Sequence, residues 1–307
     1  MSSPRKRVRR PPPPILSDEE RFVRYGIRPT PWWRQHINAA VRRIRRISWV
    51  VIRSIWCVTG GLWLFIKISR HNPEAEAAAI RYVRRHTTIS VPRVWGPFSW
   101  FGTRLIVMTR VRGHALHMLD WQRMSRSTQD SLIAQLHEFV SQLRAINPPP
   151  SPAICSVLGG PIYDSRIEYH PVGPFADEDE MNWYVRIGMP MEQLRTYSPI
   201  CYEAHSRRHP LVLTHADLAP RNIMVDGDTV TGIIDWEMCG WYPAHWEYIK
   251  ADRTCTNPAY KGWRDRIREF VPPFDLELAA DQSVDPGGSC VGFARGSKLR
   301  YRSIVTE

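Results

Sequence analysis

The sequence predicts an α+β protein with a small β-rich part followed by a larger, mainly helical part. Strand patterns occur in residues 47–68 and 91–111, where β-branched and aromatic residues are frequent. A helix is predicted over 127–146, because apolar side chains recur there at three- and four-residue spacing. Two short apolar runs separated by Asp226-Gly227 then predict a β-hairpin within the second part.

The positive charge of the chain is concentrated at its start. The 307 residues carry a net charge of +12, and 43% of them are hydrophobic, which is ample for a core. Residues 1–56 contain 14 Lys and Arg against 3 acids, whereas the rest contains 28 against 27. A nearly neutral body argues against a chain that binds nucleic acid or membrane along its whole length. Six cysteines without a Cys-x-x-Cys pair argue against a zinc site or a disulfide framework and indicate a reducing compartment.

The first 46 residues predict a basic, largely disordered leader. A cluster of Arg and Lys at 5–10 is followed by four prolines, which favour an extended segment with no core to join. This leader is expected to be a polyanion-binding arm, a nuclear import signal, or a solvated tail without a role. A helix is predicted at 31–46. The expected location is the cytoplasm, with the nucleus as the alternative.

Residues 47–68 admit two interpretations. Their length and apolar character, with basic residues before them, suit a membrane anchor. Against an anchor, Arg53 and Lys67 lie within the stretch, where a charge costs a few kcal/mol in a bilayer, and Gly60-Gly61 divides it. We therefore favour paired strands around a Gly-Gly turn and expect no membrane span.

The most informative stretch is 211–246, which contains the spacing His215-x-Asp217-x-x-x-x-Asn222 before the hairpin and Asp235 after it. The hairpin is expected to place the carboxylate and amide of the first loop beside Asp235. Asn and Asp oxygens are ligands that hold Mg²⁺ against polyphosphate, while the separate carboxylate of Asp217 can accept a proton from a hydroxyl. This division of roles is typical of phosphoryl transfer.

These residues, with Ile233-Ile234-Asp235-Trp236-Glu237 and the later Gly-Trp-Tyr-Pro stretch, resemble the catalytic core of the aminoglycoside phosphotransferase-like kinases, in particular their fungal branch. The resemblance implies a protein-kinase-like fold of two lobes. It implies that Asp217 is the catalytic base, that His215 braces the catalytic loop, and that Asn222 and Asp235 bind Mg²⁺. One departure is Ala216, where the family usually has Gly. The change is expected to be tolerated if the backbone φ there is negative.

The resemblance extends into the first lobe. Lys67 matches the strand lysine that holds nucleotide phosphates, and Glu76 is the predicted partner of that lysine, with Glu74 as the alternative. The strand containing Met108 leads to the hinge, so Met108 is expected at the nucleotide. The co-substrate is expected to be ATP, or else GTP. A Gly-x-Gly-x-x-Gly loop is absent from the sequence, which motivates the alternative of a pseudokinase scaffold that binds nucleotide weakly or not at all.

The predicted organisation is a leader, an N-terminal lobe, a C-terminal lobe with a helical substrate insertion, and a disordered tail, at 1–46, 47–112, 113–280 and 281–307. The implied activity is transfer of the γ-phosphoryl group to a hydroxyl of a small molecule. The acid-rich stretch 177–180 is interpreted as a helix N-terminus rather than a cradle for a cationic substrate. A metal site is not expected at His205 and His209. The acceptor itself is not predicted.

Overall fold

The computed structural model describes residues 63–69, 71–100, 102–150, 153–255 and 260–284. The predicted leader, residues 47–62 and the tail from 285 lie outside these ranges. The described strands are β1 (Leu64–Ile68), β2 (Val94–Trp100), β3 (Thr103–Thr109), β4 (His114–Ala115), β5 (Cys155–Ser156), β6 (Ile162–Asp164), β7 (Glu168–Val172), β8 (Leu211–Thr214), β9 (Ile223–Asp226), β10 (Thr229–Ile233) and β11 (Gly240–Pro243). The described α-helices are α1 (Pro73–His86), α2 (Arg126–Ala145), α3 (Glu178–Val185), α4 (Met191–Tyr197), α5 (Pro199–His205), α6 (Trp246–Arg253), α7 (Lys261–Arg264), α8 (Ile267–Phe270) and α9 (Asp275–Val284).

The described part of the N-terminal lobe is an antiparallel sheet of order β1-β3-β2 with helix α1 packed on it. Helix α1 begins as predicted, because Asn72 Oδ1 accepts the Ala75 N–H at 3.1 Å and Pro73 occupies the first turn. The side chain of Ala77 packs against Ile106 and Met108 of β3. The same helix contributes to the core of the C-terminal lobe, so α1 connects the two lobes.

Gly113, the predicted first residue of the C-terminal lobe, has a backbone φ of +84°. A Cβ at this position would lie 2.1 Å from the carbonyl oxygen of Val225, so only glycine fits. The next residues form β4, which pairs with β9 and extends the predicted hairpin. Strands β9 and β10 pair antiparallel, with Asp226 opposite Thr229 across the turn, as the Asp-Gly signal predicted.

Helix α2 forms the centre of the C-terminal core. Its apolar stripe is buried as predicted, with Leu132 and Leu136 fully enclosed. The helix starts at Arg126, one residue earlier than predicted, because Ser125 accepts the Thr128 N–H and caps it. A second sheet, of order β5-β11-β8, contacts α2 through β8 and supports the segment that follows β8. The predicted α+β class, with a small β-rich lobe and a larger mainly helical lobe, is confirmed.

The acid-rich stretch of the insertion is a helix N-terminus, as predicted. Asp177 caps α3 by accepting the Glu180 N–H at 2.9 Å, and acids fill the first turn. No helix among the described residues is long and apolar enough to cross a membrane.

The C-terminal end is helical up to the last described residue. Residues 261–270 contain two short helices, α7 and α8, and α9 continues to Val284, past the predicted start of the tail at 281. Asp281 is 2% exposed and pairs with Arg166 and Arg253 at 2.6 and 2.7 Å. Its partners are distant in sequence, so the local composition did not reveal its burial.

We predict that Asp281→Ala lowers the free energy of unfolding by about 3 kcal/mol, because Arg166 loses the carboxylate that compensates its buried charge. The exposed Asp226→Ala is the matched control and should change stability by less than about 0.5 kcal/mol. Urea denaturation of both variants measures the difference. Equal stabilities for the two variants would contradict this interpretation of Asp281.

Candidate active site

The loop after β8 places Asp217 and Asn222 side by side. A short 3₁₀ turn, Pro220–Asn222, returns the chain toward Asp217. The Asn222 side-chain amide donates to the Asp217 carbonyl at 2.8 Å and to its carboxylate Oδ2 at 2.7 Å. Since the amide nitrogen makes both contacts, the Asn222 side-chain oxygen is left to face a different ligand.

His215 links this loop to the segment that carries Asp235. Its Nδ1 accepts the Asp217 N–H at 3.2 Å, so its Nε2–H donates to the Ile234 carbonyl at 3.1 Å. The Trp236 ring packs edge-on against the imidazole, with centroids 4.5 Å apart. His215 is fully buried, and its two ring nitrogens join loops that are 19 residues apart.

Asp235 follows β10 and lies next to Asn222. The Ile234 N–H donates to the Asn222 carbonyl at 3.0 Å, which fixes the adjacent residue Asp235 beside the loop. Asp235 has φ +67°, a left-handed conformation that Asp tolerates better than most residues. Its side chain is 34% exposed and therefore accessible to a ligand.

Lys67 of β1 contacts three carboxylates. Its Nζ lies 2.8 Å from Glu76 Oε1, 2.6 Å from Asp235 Oδ1 and 3.5 Å from Glu237 Oε2. The structure thus brings together Lys67, Glu76 and Asp235, which lie far apart in the sequence. Glu74, the alternative partner, instead forms an ion pair with Arg104.

The electrostatics around Lys67 favour a bound cation. Burial alone lowers the pKa of Lys67, but the negative charges of Glu76, Asp235 and Glu237 outweigh it and keep that pKa above its ordinary value. Burial raises the pKa of Glu76 to about 7, against the opposing effect of Lys67. Its Oε2 is buried and has no hydrogen-bond partner among the described residues. One ammonium group therefore faces a surplus of carboxylate charge.

The donor set at this place fits Mg²⁺. Asp235 and Asn222 offer a carboxylate and an amide oxygen, which are hard ligands of the kind that magnesium prefers. The carboxylate surplus gives a divalent cation a favourable electrostatic environment. Asn222 and Asp235 are therefore the residues that could hold the ion.

Met108 is 6% exposed and packs between the sheet and α1, against Ala77 and Val94. It lies two residues from Ile106, the pairing partner of Lys67 in β1, so Met108 and Lys67 occupy the same face of the sheet. Its expected contact with a nucleotide stays a prediction.

The backbone at Ala216 corrects one expectation. Its φ is +62°, not negative as expected. Ala216 therefore has a left-handed conformation, which a glycine at this position would adopt freely. The conformation costs roughly 1–2 kcal/mol for a residue with a Cβ. The surrounding contacts must therefore hold the loop in place.

The residue that supplies those contacts is Glu247 of α6, which sequence reasoning did not identify. Its Oε2 accepts the backbone N–H groups of His215 at 2.7 Å and Ala216 at 3.3 Å. Glu247 is 4% exposed, and burial raises its pKa. Arg221 was also missed; it forms an ion pair with the Asp217 carboxylate.

Residues 54–277 match the sequence profile of the phosphotransferase enzyme family. The chain belongs to this family. Membership confirms the predicted resemblance at the family level, while the fungal branch stays a prediction. A comparison with curated proteins finds no match for this phosphotransferase-family chain.

Solved structures similar to this phosphotransferase-family chain include aminoglycoside phosphotransferases. One is the GDP and kanamycin complex of APH(2")-IIia, with 14% identity over 80% of this chain and 88% of that chain and a TM-score of 0.49. Another is aminoglycoside-3'-phosphotransferase of type VIII, with 18% identity, 74% and 86% coverage and a TM-score of 0.47. A third is APH(3'')-Id from Streptomyces rimosus, with 15% identity, 74% and 86% coverage and a TM-score of 0.46.

We predict that Glu247→Ala lowers the free energy of unfolding by about 3 kcal/mol, because two buried N–H donors lose their acceptor. Glu247→Gln keeps an acceptor oxygen, so its free energy of unfolding should fall by less. Urea denaturation measures the stabilities, and amide hydrogen exchange at His215 and Ala216 should accelerate in the alanine variant. Unchanged exchange at both amides would show that Glu247 does not hold the loop.

Proposed function

We propose that the protein transfers the γ-phosphoryl group of ATP, or of GTP, to a hydroxyl of a small molecule. The observation that supports this most directly is the contact of Lys67 with both Glu76 and Asp235. In this proposal Lys67 is the cation that contacts the phosphates, and it lies beside Asp235, the carboxylate proposed to bind magnesium. The adjacent loop supplies Asp217 and Asn222, so groups for binding phosphate and for accepting a proton converge in one place.

Asp217 is the proposed base. It accepts the proton of the acceptor hydroxyl as that oxygen bonds to the γ-phosphorus and the nucleoside diphosphate leaves. Arg221 and Asn222 each occupy one carboxylate oxygen of Asp217, which fixes its orientation. A carboxylate has about four lone-pair sites, so both oxygens can still accept from a substrate.

Asn222 and Asp235 would hold Mg²⁺, which neutralises polyphosphate charge when it is bound. Lys67, positioned by Glu76, contacts the phosphates, and His215 holds the catalytic loop against the segment of Asp235. Most of the rate enhancement then comes from positioning and from charge stabilisation. The polyanion contact proposed for residues 1–46 is a separate, untested property of the leader.

The acceptor is proposed only as a class, small hydroxyl compounds. A screen covers aminoglycosides, choline, sugars and amino acids, with nucleoside diphosphate release and phosphorylated product both measured.

We predict that Asp217→Asn abolishes turnover while leaving magnesium–nucleotide affinity within about threefold, since the amide cannot accept the proton. Asp226→Asn, an exposed aspartate on the hairpin, is the control and should retain full activity. Single-turnover assays measure transfer, and calorimetric titration measures binding. Loss of nucleotide affinity in Asp217→Asn would count against its role as base.

Nucleotide binding by the native protein without turnover across the screen would favour the scaffold alternative.

A second prediction separates the structural from the functional role of Lys67. Lys67→Met should destabilise the protein by about 3 kcal/mol, because Glu76 is fully buried and loses its counter-charge. The double variant Lys67→Met/Glu76→Gln should recover most of this stability but still bind nucleotide at least tenfold more weakly. Urea denaturation and calorimetric titration test the two parts. Native nucleotide affinity in the double variant would contradict the phosphate-binding role.

A further inference from the structure

A second cluster of ionisable side chains lies in the C-terminal lobe, away from the catalytic loop. Glu178 from α3, His209 before β8 and His245 before α6 meet with side-chain exposures of 5%, 9% and 5%. The length of β8 separates His209 from His215. The proposed phosphoryl transfer uses none of these three side chains.

The three facing atoms have the spacing of metal ligands. Glu178 Oε1 lies 2.9 Å from His209 Nδ1 and 3.6 Å from His245 Nδ1, and the two Nδ1 atoms are 3.2 Å apart. Ligand atoms of a tetrahedral zinc ion with bonds of about 2.0–2.1 Å are about 3.3 Å from one another. The cluster therefore needs little movement to surround one ion.

Hydrogen bonds alone leave one contact of this cluster poorly satisfied. If His209 Nδ1–H donates to Glu178, the His245 Nδ1 faces that same N–H from the side. If His245 Nδ1–H points at His209 Nδ1 instead, the short contact of His209 with Glu178 has no proton. A cation satisfies all three atoms at once.

A carboxylate of α9, Glu277, faces the other ring nitrogen of His209. It is 6% exposed, lines a small pocket with Glu178 and His245, and its Oε1 also forms an ion pair with Arg207 Nη1 at 3.7 Å. This oxygen lies 3.3 Å from His209 Nε2. A metal-binding histidine usually donates its other ring N–H to a carboxylate, and Glu277 is placed to accept it.

We propose that Glu178, His209 and His245 bind one divalent cation of the zinc class, with water as a further ligand and Glu277 as the carboxylate that orients His209. Two imidazoles and one carboxylate favour zinc, cobalt or nickel over magnesium and calcium, which prefer oxygen ligands. The backbone N–H of His209 donates to Glu178 Oε2 at 2.9 Å, which directs Oε1 toward the ion. The ion would fasten the insertion helix α3 to β8 and α6.

The test uses the full chain, treated with chelator and then titrated with Zn²⁺ in the absence of nucleotide. We expect one ion per chain after gel filtration and a rise of about 5 °C in the thermal midpoint at saturating metal. His245→Gln and Glu178→Gln should each lose both effects. Failure of the native chain to retain zinc, or an undiminished rise in His245→Gln, would overturn the proposal.

The matched control is His205→Gln. His205 is a histidine of similar burial that lines the same pocket, but its ring contacts Cys201 Sγ at 3.7 Å. Without metal, this variant should have a lower thermal midpoint than the native chain. Zinc should still raise that midpoint as it does in the native chain. Cobalt provides a readout on the native chain even if a ligand variant does not fold. Visible bands of tetrahedral Co²⁺ without a thiolate charge-transfer band support the site, whereas a thiolate band would place the metal on cysteine and contradict it.

Discussion

The proposed active site depends on the ion pairs that the ammonium group of Lys67 makes. This group joins β1 to α1 through Glu76 and to the end of the catalytic hairpin through Asp235. Burying one cation among three carboxylates is favourable for the cation, but it leaves an excess of negative charge. That excess explains how the site can combine a phosphate-binding lysine with a position for a divalent ion.

The catalytic loop is held in a conformation that it would not adopt alone. Ala216 and Asp235 both have positive φ. Such conformations persist only where the surroundings determine them, and they cluster at functional sites. Here Glu247 holds the loop through two backbone N–H groups, and His215 ties it to the following segment. The strained backbone and its supports together place Asp217 for the proposed reaction.

The sequence predicted most of the features that depend on residues close together in the chain. The hairpin brought Asn222 and the Asp235 segment together because its turn and register are local properties. The sequence did not reveal the role of Glu247, because that role depends on how α6 packs against the catalytic loop. Asp281 was missed for the same reason, since Arg166 is 115 residues away. The cluster of Glu178, His209 and His245 likewise requires three elements that only the tertiary fold brings together.

The most direct measurement is the thermal midpoint with and without magnesium–ATP, and with GTP in its place, for the native protein and for Asp235→Ala. Ligand that binds the folded state raises the midpoint by mass action. We predict a magnesium-dependent rise of several degrees in the native protein that is lost in the variant. No rise for either protein with either nucleotide, or an equal rise in both proteins, would contradict the assignment of Lys67, Asn222 and Asp235 to a nucleotide site.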